Sequence, residues 1–314
     1  KIQMRIEHCD CVSSQQSPNT HYHYEHEYKK SLYSDMFLKD FTGWFSSEFT
    51  SLRMREGFYD IKPEGDSLKK LLLFNDCSHF DYYFNRLLSD IMHYLLINGK
   101  AYIEIVSWID GTSAIQGIEL VPIRAKCHHK KRSKSVFIAP SHKNETVHFS
   151  IDQNRLVILD LKELGFHRNY FRKLINHLAK FDLTNASGLM LNPKMNGIFD
   201  FAEYQKSVDY KLLRLTNPTH WLGRNYTNQH LSESYLLYRT IQYKTLRFKF
   251  LEYILYQING GLNRFKTEWG FSGEVSTSVS LPDYKSAFSQ YNDGEINASQ
   301  LCNIVIKNST TQEE

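Results

Sequence analysis

The sequence predicts an α+β fold, because helical and extended patterns occupy separate runs of the chain. Apolar residues recur at steps of three and four from residue 80 to residue 95, and the alternating segment 101–106 follows directly. From residue 166 to residue 270 the patterns are mainly helical. We therefore expect two helices and a run of strands in residues 31–165, followed by a long-helix region.

The best-defined element is a helix over residues 79–98. Ser78 and Asp81 give a capping-box-like start, and Gly99 suits a left-handed C-terminal cap. Its apolar face consists of Phe80, Tyr83, Phe84, Leu87, Leu88, Ile91 and Leu95. We expect the middle of this face, from Leu87 to Ile91, to be buried.

Two strands follow this helix. The segment 101–107 alternates with a period of two, and a second apolar strand, 115–121, ends at Pro122. Asp110-Gly111 between them is a strong hairpin signal. We expect the two strands to pair and the helix to pack on both.

The remaining elements have shorter patterns. We expect helices over 34–52, 66–72, 201–215 and 231–258, and strands over 58–61 and 154–160. Asn217-Pro218 ends the third of these helices and Gly260-Gly261 the fourth. The helix over 231–258 is about 40 Å long and apolar on nearly all sides, which fits either contacts with other subunits or a central position in a monomeric domain.

The segment Asn98–Ile105, the turn at Asp110-Gly111 and the segment Ile118–Ile123 resemble the tailed-phage portal protein family in kind and order. In that family an apolar helix runs into a Gly-Asn-Ala-Tyr-type segment, a short strand, an acidic-Gly turn and a strand that ends near Pro. Here the Asn and Gly are transposed and Lys100 intervenes. The resemblance covers roughly residues 34–165.

The resemblance implies a portal-like fold, in which a wing-type α+β domain precedes a long-helix region. It implies a structural ring subunit at a capsid vertex, a cyclic homo-oligomer of about a dozen copies. Double-stranded DNA passes through such a ring during packaging and ejection. The implied partners are DNA, the major capsid protein, the packaging motor and the tail or adaptor proteins. The subunit would have no catalytic activity and no cofactor, and would be assembled in the host cytoplasm into the virion.

The organisation along the chain has four parts. Residues 1–30 are a polar, His/Tyr-rich N-terminal arm, and residues 31–165 are the wing-like α+β domain. Residues 166–270 are the helical, stem- or wing-like region. Residues 271–314 are an extended segment, short helices and a polar tail.

Composition excludes several classes of protein. The chain has 314 residues, of which 41% are hydrophobic, and this argues against wholesale disorder. No apolar run approaches the ~20 residues that span a bilayer, and the N-terminal residues do not resemble a signal peptide, so we expect no membrane contact. Five cysteines, an odd number without zinc-ribbon spacing, favour free thiols.

The densest charge cluster is the segment 126–134, which we expect to be a loop between two strands. The net charge is only +4, so any contact with nucleic acid depends on local patches. The candidate DNA contacts are Lys126, Lys130, Lys131, Arg132 and Lys134 in this cluster, with Arg239 and Arg247 from the long helix. A solvated loop without a partner would have the same run of basic residues. A monomeric or dimeric nucleic-acid-binding α+β module that uses this loop is the alternative to a portal subunit.

Metal and enzyme signatures are weak. His21, His23 and His26 form an H-x-H-x-x-H arrangement near Glu25, but a solvated polar tail is the better interpretation. Three consecutive residues, Cys127-His128-His129, cannot easily converge on one ion. No phosphate loop, dinucleotide fingerprint or nucleophile elbow occurs, so we expect no catalytic residues and keep an unrecognised hydrolase only as a third hypothesis.

Overall fold

The computed structural model describes residues 9–12, 26–43, 59–63, 66–72, 80–110, 115–130, 132–140, 146–190, 201–223, 231–278, 281 and 283–306. Within these ranges the helices are α1 (Leu32–Thr42), α2 (Asp66–Leu72), α3 (Phe80–Asn98), α4 (Tyr170–Met190), α5 (Phe201–Leu215), α6 (Glu233–Leu262), α7 (Tyr284–Asn292) and α8 (Ala298–Ile306). The strands are β1 (Cys9–Val12), β2 (Tyr59–Lys62), β3 (Lys100–Asp110), β4 (Ile115–Pro122), β5 (Lys126–Lys130), β6 (Lys134–Pro140), β7 (Thr146–Asp152), β8 (Leu156–Asp160) and β9 (Glu274–Thr277). The mixed α+β class is therefore confirmed.

The chain forms two units. Unit 1 contains residues 1–27, 42–172 and 251–278, and unit 2 contains residues 28–41, 173–250 and 279–314. This division differs from the predicted boundaries at residues 165 and 270, because β9 pairs with β2, a strand that lies more than two hundred residues earlier in the chain. Hydrogen bonding across such a distance in sequence has no local signal.

Strand β3 is the centre of the main sheet in unit 1. It pairs antiparallel with β4 on one edge, and with β8 and β1 in succession on the other. Helix α3 packs on β3 and β4, and Leu120 N–H donates to the Tyr83 hydroxyl at 3.2 Å. The predicted pairing of the two strands and the predicted packing of the helix on them are both confirmed, whereas Gly111 of the predicted turn lies outside the described residues.

The buried face of α3 is the predicted one. Leu87, Leu88 and Ile91 are only 5%, 0% and 0% exposed. Phe84 lies on the same face and stacks obliquely with Phe80, at 4.8 Å between ring centroids. The helical period in the sequence therefore identified the core correctly.

The start of α3 differs from the prediction. Ser78 lies outside the described residues, and Asp81 is buried and accepts a hydrogen bond from the backbone N–H of Tyr59 at 2.7 Å. Asp81 thus connects the helix to β2 in addition to any role in capping. A carboxylate near a helix N-terminus is also favoured by the helix dipole.

Two further elements in unit 1 differ from the predictions. Part of the N-terminal arm forms β1, which pairs with β3 from Cys9↔Asp110 to Val12↔Ser107. Helix α6 continues through Gly260-Gly261 to Leu262. A side chain at Gly261 would overlap Val157 of β8, so the glycine permits close packing of the helix against this strand.

Gly99 joins α3 to β3 in the predicted left-handed conformation, with a φ of 75°. Its carbonyl accepts from Leu161 N–H at 3.1 Å, at the end of β8. Next to it, Asp160 pairs with Arg168 through two guanidinium nitrogens, and Lys100 Nζ lies 3.6 Å from Asp160 Oδ2. Burial raises the pKa of Asp160, but the hydrogen bonds from Arg168 and Lys162 N–H and the charges of Arg168 and Lys100 outweigh it and lower that pKa overall.

Unit 2 has an aromatic core around Trp221. The indole is fully buried, donates from Nε1 to Asp40 Oδ2 at 3.0 Å, and makes edge-to-face contacts with Tyr33 and Phe37. Helix α5 ends at Leu215, before Asn217-Pro218, as predicted. A separate cluster of Leu237, Ile241, Ala287 and Leu301 fixes the predicted short helices α7 and α8.

The predicted helix over 34–52 is seen only in part. Its described portion is α1, where Phe37 and Phe41 are fully buried, and residues 44–58 lie outside the described part. None of the described helices is both long enough and apolar enough to cross a bilayer.

Candidate nucleic-acid interface

The basic cluster lies on a small three-stranded sheet in unit 1. Strands β5, β6 and β7 pair antiparallel in that order, so β5 is an edge strand. The prediction of a loop over 126–134 is therefore wrong, because residues 126–130 form a strand. Only residues 131–133 connect it to β6.

This sheet has its own hydrophobic core. The core comprises Ile123, Ala125, Phe137, Phe149, Ile151 and Leu156, with Tyr102, Cys127 and Ile158 packed against it. The rings of Phe137 and Phe149 stack at 5.5 Å, and Tyr102 from β3 contacts Phe137 edge to face at 5.2 Å. Because Tyr102 and Ile158 belong to the main sheet, the basic strand is fixed to the body of unit 1.

The basic side chains point away from this core. Lys126, Lys130, Arg132 and Lys134 are all exposed, and Lys131 lies outside the described residues. The pairing register shifts between Cys127 and His129, which is the mark of a β-bulge at His128. Lys126 and Lys130 thus lie on the edge strand β5, Arg132 lies in the connection that follows it, and Lys134 begins the central strand β6.

The electrostatics of this edge favour anions. Lys134 Nζ lies 3.7 Å from Asp152 Oδ1, but both side chains are nearly half exposed, so the pair is weak. Within the described part of the chain, no ion pair is present for Lys126, Lys130 or Arg132. Burial, followed by the charges of Arg172 and Lys126, lowers the pKa of His26. The strand can therefore contact phosphate groups through fixed positive charges.

Arg239 and Arg247 require a correction. Arg239 is 0% exposed and Arg247 only 8% exposed, so neither offers its charge to phosphate at the surface of the chain. Arg239 instead donates to the carbonyl oxygens of Leu213 and Trp221 at 3.2 and 3.0 Å. The helical pattern could not show this, because the two carbonyls come from the end of α5 and from the turn at Trp221.

No metal site is present in the described part of the chain, where no three His, Cys, Asp or Glu side chains cluster. His21, His23 and Glu25 lie outside that part. Cys127 and Cys302 are free thiols. Burial and the neighbouring Cys127 raise the pKa of Tyr102, which therefore stays neutral at physiological pH.

Comparison with known proteins adds no identification. The chain matches no protein-family model, and none of the curated proteins is detectably similar to it in sequence.

Proposed function

We propose that this chain is a structural ring subunit of portal type. The observation that carries the proposal is the order of elements around Gly99. Helix α3 runs through this left-handed glycine into β3, and β4 follows and ends at Pro122. That order is the one on which the resemblance to the portal family rests.

The ring would form a conduit for double-stranded DNA at a capsid vertex. It would dock the packaging motor and later the tail or adaptor proteins, with the major capsid protein around it. Its role is that of an assembly component of the virion, without catalysis. Closed rings follow from head-to-tail interfaces whose rotation closes.

Exposed aromatic residues on α6 are the best candidates for subunit contacts. Tyr238 and Tyr256 are 47% and 75% exposed. Tyrosine is enriched at protein interfaces because it combines a large contact area with a polar group. We therefore propose these side chains, and not the whole helix, as the part of α6 that contacts a neighbouring subunit.

The oligomeric state tests this proposal directly. We expect the full-length gene product, purified in native buffer, to form rings of about a dozen subunits by negative-stain microscopy and native mass spectrometry. A sharply monomeric species at micromolar concentration would contradict the ring.

DNA binding gives a second prediction. Replacing Lys130, Lys131, Arg132 and Lys134 with Ala should weaken binding to double-stranded DNA of any sequence. The dependence of log K on log salt should also flatten by about 0.9 for each phosphate that the variant no longer neutralises. Fluorescence anisotropy over a salt series measures both effects.

The matched control removes four charges elsewhere. Lys206, Lys211, Lys249 and Lys285 are exposed residues of unit 2, and their replacement by Ala changes the net charge equally. If the two variants bind DNA alike, the basic segment 126–134 does not contact DNA. In that case lysines and a bulge on β5 would serve to prevent edge-to-edge pairing with other chains.

One observation also favours a monomeric or dimeric nucleic-acid-binding module. Lys126 and Lys130 lie on a packed edge strand, and Arg132 and Lys134 follow in the short connection and at the start of β6, which gives a defined binding surface. A species that is not a ring, but that loses DNA affinity in the four-fold variant and not in the control, would select this alternative.

A further inference from the structure

Unit 2 contains an open pocket of about 590 Å³, between the end of α5 and the start of α6. Its lining includes Tyr210, Leu213, Arg214, Asn217, Leu231 and Tyr235, together with Ser232 at the helix start. Among the described residues that line it there is no Asp or Glu. The sequence indicated only that Asn217-Pro218 ends a helix.

Arg239 lies directly behind this lining. Its Nη1 donates to the Tyr235 hydroxyl at 3.2 Å, to Asn217 Oδ1 at 3.4 Å and to the Leu213 carbonyl. Its Nη2 donates to Thr216 Oγ1 at 2.9 Å and to the Trp221 carbonyl. All of these acceptors are neutral, although the guanidinium that donates to them is charged and fully buried.

Arg239 carries a positive charge that no carboxylate balances among the described residues. A buried charge is costly when only neutral groups surround it. After burial itself, the charge of Arg239 also lowers the pKa of His220, so neighbouring groups experience its field. An anion bound in the pocket would offset this charge.

The hydrogen bonds of Arg239 also determine which hydrogens the pocket residues can donate to a ligand. Because the Tyr235 oxygen accepts from Arg239, its own O–H hydrogen remains for a ligand. The Asn217 side chain uses Oδ1 in the same way, which leaves its amide hydrogens for donation. Arg214 is exposed on the lining and adds a second guanidinium.

The rest of the pocket is apolar or aromatic. Leu213 and Leu231 lie on its wall, and the ring of Tyr210 is 69% exposed. The start of α6 adds the positive end of a helix dipole, since Ser232 immediately precedes the helix. These groups suit a ligand that has both a negative charge and a flat apolar body.

We propose that this pocket binds a small aromatic anion whose phosphate or carboxylate is held by Arg214, Tyr235 and Asn217. The aromatic body lies against Tyr210 and the two leucines. This site does not depend on ring formation or on DNA binding.

Calorimetric titration of the full chain with phenyl phosphate tests the site. We expect saturable binding at millimolar concentration or below, and weaker binding of both phenol and inorganic phosphate. Arg214→Ala should weaken binding about tenfold or more, because a charge-assisted hydrogen bond is lost. Tyr235→Phe, which keeps the ring, should weaken it by up to about tenfold.

Lys249→Ala is the matched control, since Lys249 is exposed, lies fourteen residues beyond Tyr235 on α6, which is about 21 Å along the helix, and is outside the lining. It should change the affinity by less than about twofold, as expected for a distant exposed charge. Equal effects of Arg214→Ala and Lys249→Ala would overturn the proposal, as would equal binding of phenol and phenyl phosphate or no saturation. A parallel titration with benzoate assigns the ligand class, because the tighter of the two anions identifies phosphate or carboxylate chemistry.

Discussion

Gly99→Ala is expected to destabilise unit 1 by about 2–5 kcal/mol, from two additive causes. A residue with a Cβ in the left-handed conformation costs about 1–2 kcal/mol. The added methyl group would also overlap the backbone carbonyl of Arg168, and relieving such overpacking costs typically about 1–3 kcal/mol. Because the obstacle is backbone, it cannot move aside as a flexible side chain would.

Gly165→Ala separates these two causes. Gly165 also has a positive φ, 85°, but beyond its two chain neighbours no atom of the described residues lies within 4 Å of the position of an added Cβ. This variant should lose only the strain term, about 1–2 kcal/mol. Urea unfolding, with native-state hydrogen exchange of the β3 amides, measures both variants. Equal losses at the two glycines would show that the overlap at Gly99 relaxes without cost.

The local parts of unit 1 were predictable because each has its own sequence signal. The three- and four-residue recurrence of apolar residues located α3 and its buried face, and Asp110-Gly111 located the hairpin. Gly99 was identified from its position after a helical run. These signals lie within about twenty residues of the structure that they specify.

The parts that could not be predicted depend on contacts between separate elements. The pairing of β2 with β9 joins residues more than two hundred positions apart, and residues 251–278 belong to unit 1. Lys126 to Lys130 have the composition of a solvated loop, yet Phe137 and Phe149 supply the core that makes them a strand. A basic composition predicts that a segment is exposed to solvent. It cannot distinguish a loop from an edge strand, because both are exposed.

The candidate sites also divide into one that has a local sequence signal and one that depends on contacts between separate elements. The basic cluster was predictable because its members are neighbours in sequence. Arg239 was misassigned, because its acceptors belong to the end of α5 and to the turn at Trp221. The pocket beside it was missed for the same reason, since Arg214 and Tyr235 belong to different helices.

Leu88→Ala is expected to destabilise unit 1 by about 2–5 kcal/mol, the range for truncation of fully buried leucines. Leu88 is 0% exposed on the face of α3 that packs on the sheet, so its removal loses burial and leaves a cavity. The free energy of unfolding from urea denaturation measures this loss.

Tyr82→Ala on the same helix is the matched control. Tyr82 is 51% exposed, and its truncation removes more atoms than Leu88→Ala does, yet it should change the stability by only about 0.5 kcal/mol. The comparison thus separates burial from side-chain size, because the larger truncation is expected to have the smaller effect. If Leu88→Ala lost less than Tyr82→Ala, the face of α3 that supports the main sheet would have been assigned to the wrong side of the helix.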